Sequence, residues 1–285
     1  MKRRSAFVSS QGRIVERVGA HRALGPAMRG GSCEVFAIEH EGRRAALKWL
    51  LADCARSERG RAAFEHELTL LERCESPRLP RVLAREVIDE RPAAVLSWVD
   101  GAPLEIGRER PVRECVSIVI DVLEGLHALH EARDESGPLG AVHRDVCPAN
   151  ILVNAHGRAT LIDLGLASSR RFARAADGLS EGTLGYHSPE LFTGVPAVDR
   201  RSDVFGAAII LWELLARRPL FPREKFAAAN AIVSEDAPPL RAVRVALPEG
   251  LSAIVAGALA RDISLRPQSA LDFARSLEPF VIAGS

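Results

Sequence analysis

Apolar residues change their spacing twice along this chain. From about Val18 to Leu51 they fall in short, strand-like runs. Ala23-Leu24-Gly25 leads into a loop, Val35 to Ile38 follows, and Ala45 to Leu50 comes after a turn at Glu41-Gly42. Over residues 60–74 the interval lengthens. Phe64, Leu68 and Leu71 recur with charges between them, which predicts an amphipathic helix. Residues 81–99 return to strands, as Val82-Leu83 and Ala94 to Val99. After Asp100-Gly101 the chain reads as mostly helical, with helices expected over Ile118–His130, Phe205–Ala216, Leu251–Ala260 and Ser269–Leu277. The alanine-rich stretch Phe226–Ala231 and the proline-containing stretch 237–249 read as connections. Residues 1–17 are polar and basic without periodicity, an N-terminal extension. A small β-rich part carrying one helix (18–99) therefore precedes a larger helical part (100–280), an α+β chain.

Composition narrows this picture. The chain has 285 residues, 47% of them hydrophobic, which is enough for a sizeable core. Lys+Arg 38 against Asp+Glu 37 leaves +1, a balance that points away from nucleic acid or an anionic membrane as the main partner. Cys33, Cys54, Cys74, Cys115 and Cys147 are scattered without a paired spacing, as expected of reduced thiols in a cytoplasmic protein. The basic start lacks an apolar stretch behind it, and the longest apolar run, Phe205–Ala216, is too short for a membrane span.

Lysine is confined to Lys2, Lys48 and Lys225. Arginine fills most basic roles, but a compact ammonium at a crowded phosphate site is not replaceable by a guanidinium. Lys48, inside an apolar run, is therefore a candidate for chemistry. Glu67 on the amphipathic helix is its candidate partner, ahead of the neighbouring Glu65. Further on, the segment His143–Val153 places Asp145 and Asn150 five residues apart, and Asp163 follows. That spacing of carboxylate, carboxamide and carboxylate suits phosphoryl transfer: one carboxylate orients an attacking hydroxyl while the other two groups hold Mg²⁺ against nucleotide phosphates. Gly25, Gly30 and Gly31 precede Val35 in a degraded glycine-rich loop, in which Cys33 stands at a glycine position.

Taken in order, these segments resemble the eukaryotic-like (Hanks-type) protein kinases, in particular their bacterial Ser/Thr branch. The series runs through Gly30, Gly31 and Val35; Ala46-Leu47-Lys48; Glu67; His143-Arg144-Asp145 with Asn150; Asp163-Leu164-Gly165; Gly182-Thr183 through Tyr186 to Pro189-Glu190; Asp203; and Arg266-Pro267. It spans nearly the whole chain. The resemblance implies a bilobal fold with an N-lobe over 18–99 and a C-lobe over 100–280. It also implies ATP with Mg²⁺, or Mn²⁺ in its place, and transfer of the γ-phosphoryl group to Ser/Thr hydroxyls of protein substrates. Autophosphorylation, with the self-association that it requires, is expected too.

By the same resemblance, Asp145 takes the substrate hydroxyl proton, Asn150 and Asp163 ligate the metal, and Lys48 contacts the phosphates while Glu67 pairs with it. Leu24, Gly25, Gly30 and Gly31 line the nucleotide, and Val35, Ala46 and Leu152 sandwich the adenine. Leu96 stands as gatekeeper, and backbone groups of Ser97 and Val99 meet the base edge. Glu190 is expected to pair with Arg266, Asp203 to brace the catalytic loop, Thr183 to bond to that loop and His143 to be structural. Ser168, Ser169 and Ser180 are candidate regulatory phosphorylation sites.

Four departures from the family pattern stand out, one of them Cys33, which removes a glycine near the phosphates. Cys147 stands where most Ser/Thr kinases carry a lysine that neutralises the transferred phosphoryl group, a loss on the scale of a few kcal/mol. Leu164 replaces a phenylalanine, and Ser188 an alanine. If Cys33 and Cys147 both border the phosphates, a thiol switch follows, against the plainer reading of two tolerated small residues. A pseudokinase acting through nucleotide or partner binding is the alternative function. A small-molecule phosphotransferase is disfavoured by the Gly182–Glu190 segment and Asp203.

Overall fold

A computed structural model describes residues 17–173, 182–194, 197–244 and 246–282. The chain divides into two units, one of residues 1–72 with 80–99 and one of 73–79 with 100–285.

In the first unit the strands are β1 (Arg17–Val18), β2 (His21–Ala23), β3 (Met28–Arg29), β4 (Cys33–His40) and β5 (Arg43–Leu50). Helices α1 (Ala52–Arg56) and α2 (Glu58–Glu72) follow, then β6 (Val82–Ile88) and β7 (Arg91–Ser97). The sheet order is β1-β2-β4-β5-β7-β6, with β3 paired to β4 and each described pairing antiparallel. Two tight hairpins fix its register. Glu41-Gly42 joins β4 to β5 and Asp89-Glu90 joins β6 to β7, with left-handed φ at all four residues, the twist a two-residue hairpin favours.

Register then sorts the side chains by face. Phe36, Ile38, Ala45, Leu47, Ala93 and Val95 alternate into one buried cluster with Val18 and Ile88. Val35, Ala37, Ala46, Lys48, Ala94 and Leu96 take the opposite face, with Val35 opposite Lys48 and Ala46 opposite Leu96. The helix expected over 60–74 spans 58–72, its buried stripe made of Phe64, Glu67, Leu68, Leu70 and Leu71. Helix α1 was not anticipated, because five residues with none buried give no periodic signal.

In the second unit, β8 (Ala102–Pro103) precedes α3 (Val112–His130), then β9 (Arg133–Asp134), β10 (Gly137–Pro138), β11 (Ile151–Val153) and β12 (Ala159–Leu161). After these come α4 (Pro189–Thr193), α5 (Arg200–Ala216), α6 (Lys225–Ser234), α7 (Leu240–Val243), α8 (Leu251–Ala258), α9 (Ala270–Leu277) and α10 (Pro279–Ile282). Helix α5 is the centre of this unit, buried on every face from Ser202 to Leu215. Asp199 caps its start by accepting from Arg201 N–H at 2.8 Å.

The structure corrects the sequence reading at 226–231, which lies inside α6 rather than in a connection, and at 237–249, which contains α7. Alanine on every face of α6 hides its period, yet Ala228, Ala231 and Ile232 bury one side of it. Helix α3 begins at Val112, six residues before the expected start, just after Pro111. Among the described residues, no helix is long and apolar enough to cross a membrane.

Candidate active site

In the first unit, β5 and α2 bring together the two residues singled out by charge. Lys48 Nζ donates to Glu67 Oε1 at 2.5 Å, and both side chains are buried. Glu65, the competing carboxylate, lies on the exposed side of α2 and pairs with Arg85. The helical stripe accounts for the choice, because Glu67 is three residues from Phe64 and four from Leu71, on the face that turns inward. A buried ion pair broken from one side leaves an uncompensated charge costing about 3–5 kcal/mol, so this pair is fixed once made.

Three of the nucleotide-lining candidates of this unit share that sheet face. Val35, Ala46 and Leu96 lie on the Lys48 side by register. Leu24 is partly exposed and donates its N–H to Ala37 C=O at 2.7 Å. Ser97 spends its N–H on Arg81 C=O, while its hydroxyl accepts from Arg81 N–H. Val99 closes the unit, half-buried, after β7. Gly30 donates to Cys33 C=O at 2.8 Å across the β3–β4 turn. A Cβ on Gly25 or Gly31 would meet nothing within 4 Å, and none of the three glycines has a positive φ. Packing among the described residues of this unit therefore does not require glycine there.

In the second unit, Asp145 sits in a loop held from three directions. From below, the buried Asp203 accepts from His143 N–H at 2.8 Å and Arg144 N–H at 2.9 Å, and its Oδ2 meets His130 Nε2 at 2.8 Å. Burial alone would raise the Asp203 carboxyl, but the bond from His130, the charges of His130 and His143 and the Arg144 N–H outweigh it and hold it low. Those bonds stabilise Arg144 at φ 70, a left-handed conformation costly for a non-glycine residue. Within the loop, Asn150 Nδ2 donates to both Asp145 C=O and Asp145 Oδ2, each at 2.9 Å. From above, Thr183 N–H donates to Asp145 Oδ1 at 2.8 Å.

Asp163 is tied to the same loop through backbone, as Ile162 N–H donates to Asn150 C=O at 2.8 Å. Asp163 is exposed at φ 66, and its Oδ1 accepts from Gly165 N–H at 3.1 Å. Leu164 is buried beside it and Leu152 is half-buried on β11. Asn150 spends its amide nitrogen on Asp145, which leaves Oδ1 as its remaining acceptor. With the Asp163 carboxylate, that makes a set of hard oxygen donors suited to Mg²⁺ held jointly with phosphates.

The supports expected from the sequence are present. Glu190 and Arg266 form a buried two-pronged pair at 2.8 and 2.9 Å, with Ser202 Oγ donating to Glu190. His143 is fully buried, and its Nδ1 accepts from Asp145 N–H at 3.3 Å. Gly206 was missed: a Cβ there would come within 3.2 Å of Val146 and 3.3 Å of Tyr186 C=O, so its absence lets α5 pass directly beneath the loop. A lone glycine inside an otherwise apolar helix was the available signal.

The thiol-switch idea fails. Cys147 is fully buried and receives Thr183 Oγ1–H at 3.2 Å. Burial, reinforced by the Asp145 charge, pushes its thiol up to about 12, the opposite of a reactive thiolate. Cys33 is buried as well. Of the phosphorylation candidates, Ser169 is buried with its hydroxyl accepting from Arg171 N–H, and Ser168 pairs by backbone with Val142. Ser180 lies outside the described residues.

Residues 22–273 match the protein kinase domain family. The chain belongs to that family. Among curated relatives it is 32% identical over 267 residues to a probable serine/threonine-protein kinase PknB of Corynebacterium glutamicum, covering 87% of this chain and 40% of the relative. It is 30% identical to the serine/threonine-protein kinase PknB of Mycobacterium tuberculosis over 82% of this chain and 38% of that one. It is also 36% identical to the tyrosine-protein kinase MasK of Myxococcus xanthus, over 61% of this chain and 28% of that protein. The chain thus spans less than half the length of these relatives. Among solved structures, the Mycobacterium tuberculosis PknI kinase domain superposes with a TM-score of 0.68 at 25% identity, covering 94% of this chain and 99% of that one. The kinase-like bilobal fold expected from the motif series is therefore shown, and the family implies ATP and a divalent metal.

Proposed function

We propose that this chain is an ATP-dependent protein serine/threonine kinase. The observation that carries the reading is the Asp145 carboxylate, held by Asn150 and Thr183 in a loop that a buried aspartate braces from beneath. A binding-only module has no physical need to fix both oxygens of a carboxylate so closely.

In this reading Asp145 orients the substrate hydroxyl and takes its proton as the bond to phosphorus forms. Lys48, steadied by Glu67, meets the α- and β-phosphates. Asn150 and Asp163 are the residues that would hold Mg²⁺, or Mn²⁺ in its place; the metal supplies neutralisation of phosphate charge when bound. Val35, Ala46 and Leu152 sandwich the adenine with Leu96 as gatekeeper, backbone groups of Ser97 and Val99 meet its edge, Leu24 lines the nucleotide, and Gly25, Gly30 and Gly31 border the phosphates. Protein substrates and autophosphorylation belong to the same reading.

Cys147 sets the rate. A buried thiol brings no positive charge to the transferred group, so turnover runs below that of a lysine-bearing enzyme by the few kcal/mol one preorganised donor provides. Because one relative is named a tyrosine kinase, residue specificity is the sharper test. The chain, incubated with labelled ATP, Mg²⁺ and a generic basic protein, should yield phosphoserine and phosphothreonine on acid hydrolysis. Phosphotyrosine alone would overturn the serine/threonine assignment, and nucleotide binding without label in any residue would favour the pseudokinase.

A further inference from the structure

The Thr183 N–H that bonds Asp145 belongs to the 182–187 strap, and that strap is fastened at its other end by a cluster the catalytic reading does not use. Tyr186 folds back so that its N–H reaches Thr183 C=O at 3.3 Å, and its buried phenol donates to Glu213 Oε2 at 2.8 Å. Glu213 is fully buried in α5. Its other oxygen accepts from Leu220 N–H at 2.9 Å and from Arg223 Nη2 at 2.5 Å. The same Arg223 nitrogen donates to the Tyr186 oxygen at 2.8 Å, and the guanidinium lies 4.4 Å from the centre of the Tyr186 ring.

Gly185 completes the fit. It has φ +90, and a Cβ there would stand 2.3 Å from Arg223 Nη1. The strap therefore closes over the guanidinium, and glycine at 185 is what leaves room for it. Arg223 comes from the connection between α5 and α6, so one side chain joins α5, the strap and the segment that leads into α6.

We propose that Arg223 is a positioning residue for Asp145. It clamps Tyr186 against Glu213 and so keeps Thr183 N–H on the Asp145 carboxylate. This rests on the kinase reading of Asp145. The arginine itself touches neither Asp145 nor Asn150 in any described bond. Its effect travels through four links, Arg223 to Tyr186, Tyr186 to Thr183 along the strap, Thr183 to Asp145, and Glu213 anchoring the far side. A displaced base costs turnover without weakening nucleotide binding, because the groups that would meet ATP are not in the chain of contacts.

The test compares the unsubstituted chain with Arg223→Ala, Arg223→Lys and the double variant Glu213→Gln/Arg223→Met. The double variant removes both charges and so guards against a fold lost to one buried, unpaired carboxylate. Arg218→Ala, at the same end of α5 but stacked on Trp212, is the control. The expected result for Arg223→Ala is a fall in kcat of about ten- to a hundredfold with the KM for ATP within about twofold. Arg223→Lys should recover part of that loss, as should added methylguanidinium, and Arg218→Ala should leave kcat unchanged. Amide exchange in the peptide covering 182–187 should speed up in Arg223→Ala and in the double variant. Unchanged kcat in Arg223→Ala, or unchanged exchange in that peptide, would overturn the clamp. If the unsubstituted chain transfers no phosphate, the kinase reading falls instead, and the exchange comparison alone decides the clamp.

Discussion

Gly30 and Gly31 lie on an exposed turn where an added Cβ would meet nothing nearer than the Cys33 carbonyl at 3.5 Å. Gly182, in the strap above Asp145, has φ +87, and a Cβ there would lie 2.5 Å from His187 Nε2 and 3.3 Å from Asp145 Oδ1. Both are glycines beside candidate chemistry, but for different reasons. The second is dictated by its own unit, which needs a left-handed residue without a side chain to bring the strap onto the loop. The first is dictated by nothing among the described residues of its unit, and in the proposed function its open backbone is what lets a phosphate approach. The Asp145 loop is thus fixed by the fold, whereas packing leaves the glycine turn unconstrained.

The largest break in that comparison comes from removing the fold's hold on the second unit. Glu190→Gln leaves Arg266 buried and unpaired, a loss of about 3–5 kcal/mol in denaturant unfolding. Burial would raise the Glu190 carboxyl, but the bonds and charge of Arg266 and the bond from Ser202 outweigh it and hold it below the ordinary 4.5. A carboxyl lowered in the folded state contributes stability above its unfolded value and loses it as pH falls through the folded one. Unfolding free energy should therefore drop as the medium is acidified below pH 4.5, and Glu190→Gln should flatten that part of the curve.

The two glycines themselves sharpen the contrast. Gly182→Ala should cost about 1–3 kcal/mol and most of the activity. Gly30→Ala should leave unfolding within about 0.5 kcal/mol while raising the KM for ATP. Equal stability losses in the two variants would remove the distinction. Ser188 gives a smaller effect of opposite sign. It is fully buried, and its hydroxyl has no partner among the described residues, so Ser188→Ala should stabilise the protein by about 1 kcal/mol in the same assay. The smallest expected effect is at Cys147, where mass spectrometry should find no iodoacetamide adduct in the folded protein at pH 8 and full labelling after denaturation.

The parts legible in the sequence were those with a period or a fixed spacing. Short apolar runs placed β4 and β5, and the register of Glu67, three residues after Phe64, singled it out over Glu65. The spacing of Asp145, Asn150 and Asp163 marked the loop, and the ordered motif series gave Glu190 with Arg266 and the bracing Asp203. Helix α6 was lost because alanine carries no contrast between faces, and α1 because it is too short to show one. The burial of Cys147 was not legible because it is a property of the packed loop and of Thr183, 36 residues away. The cluster of Tyr186, Glu213 and Arg223 was invisible for the same reason. Its members come from three segments, and only the buried carboxylate in an apolar helix gave any hint of it.

In the proposed function Asp145, held as it is, serves phosphoryl transfer even with a neutral residue at position 147. The most direct measurement is incorporation of label from γ-labelled ATP with Mg²⁺, into the chain itself and into a basic protein, by the unsubstituted chain and by Asp145→Asn. That substitution keeps the size of the side chain and should leave fold and ATP binding in place. The expected result is steady incorporation that falls by about 10²–10⁴-fold in Asp145→Asn, the range of a lost general base. Equal labelling by the two proteins, or none by either, would contradict it.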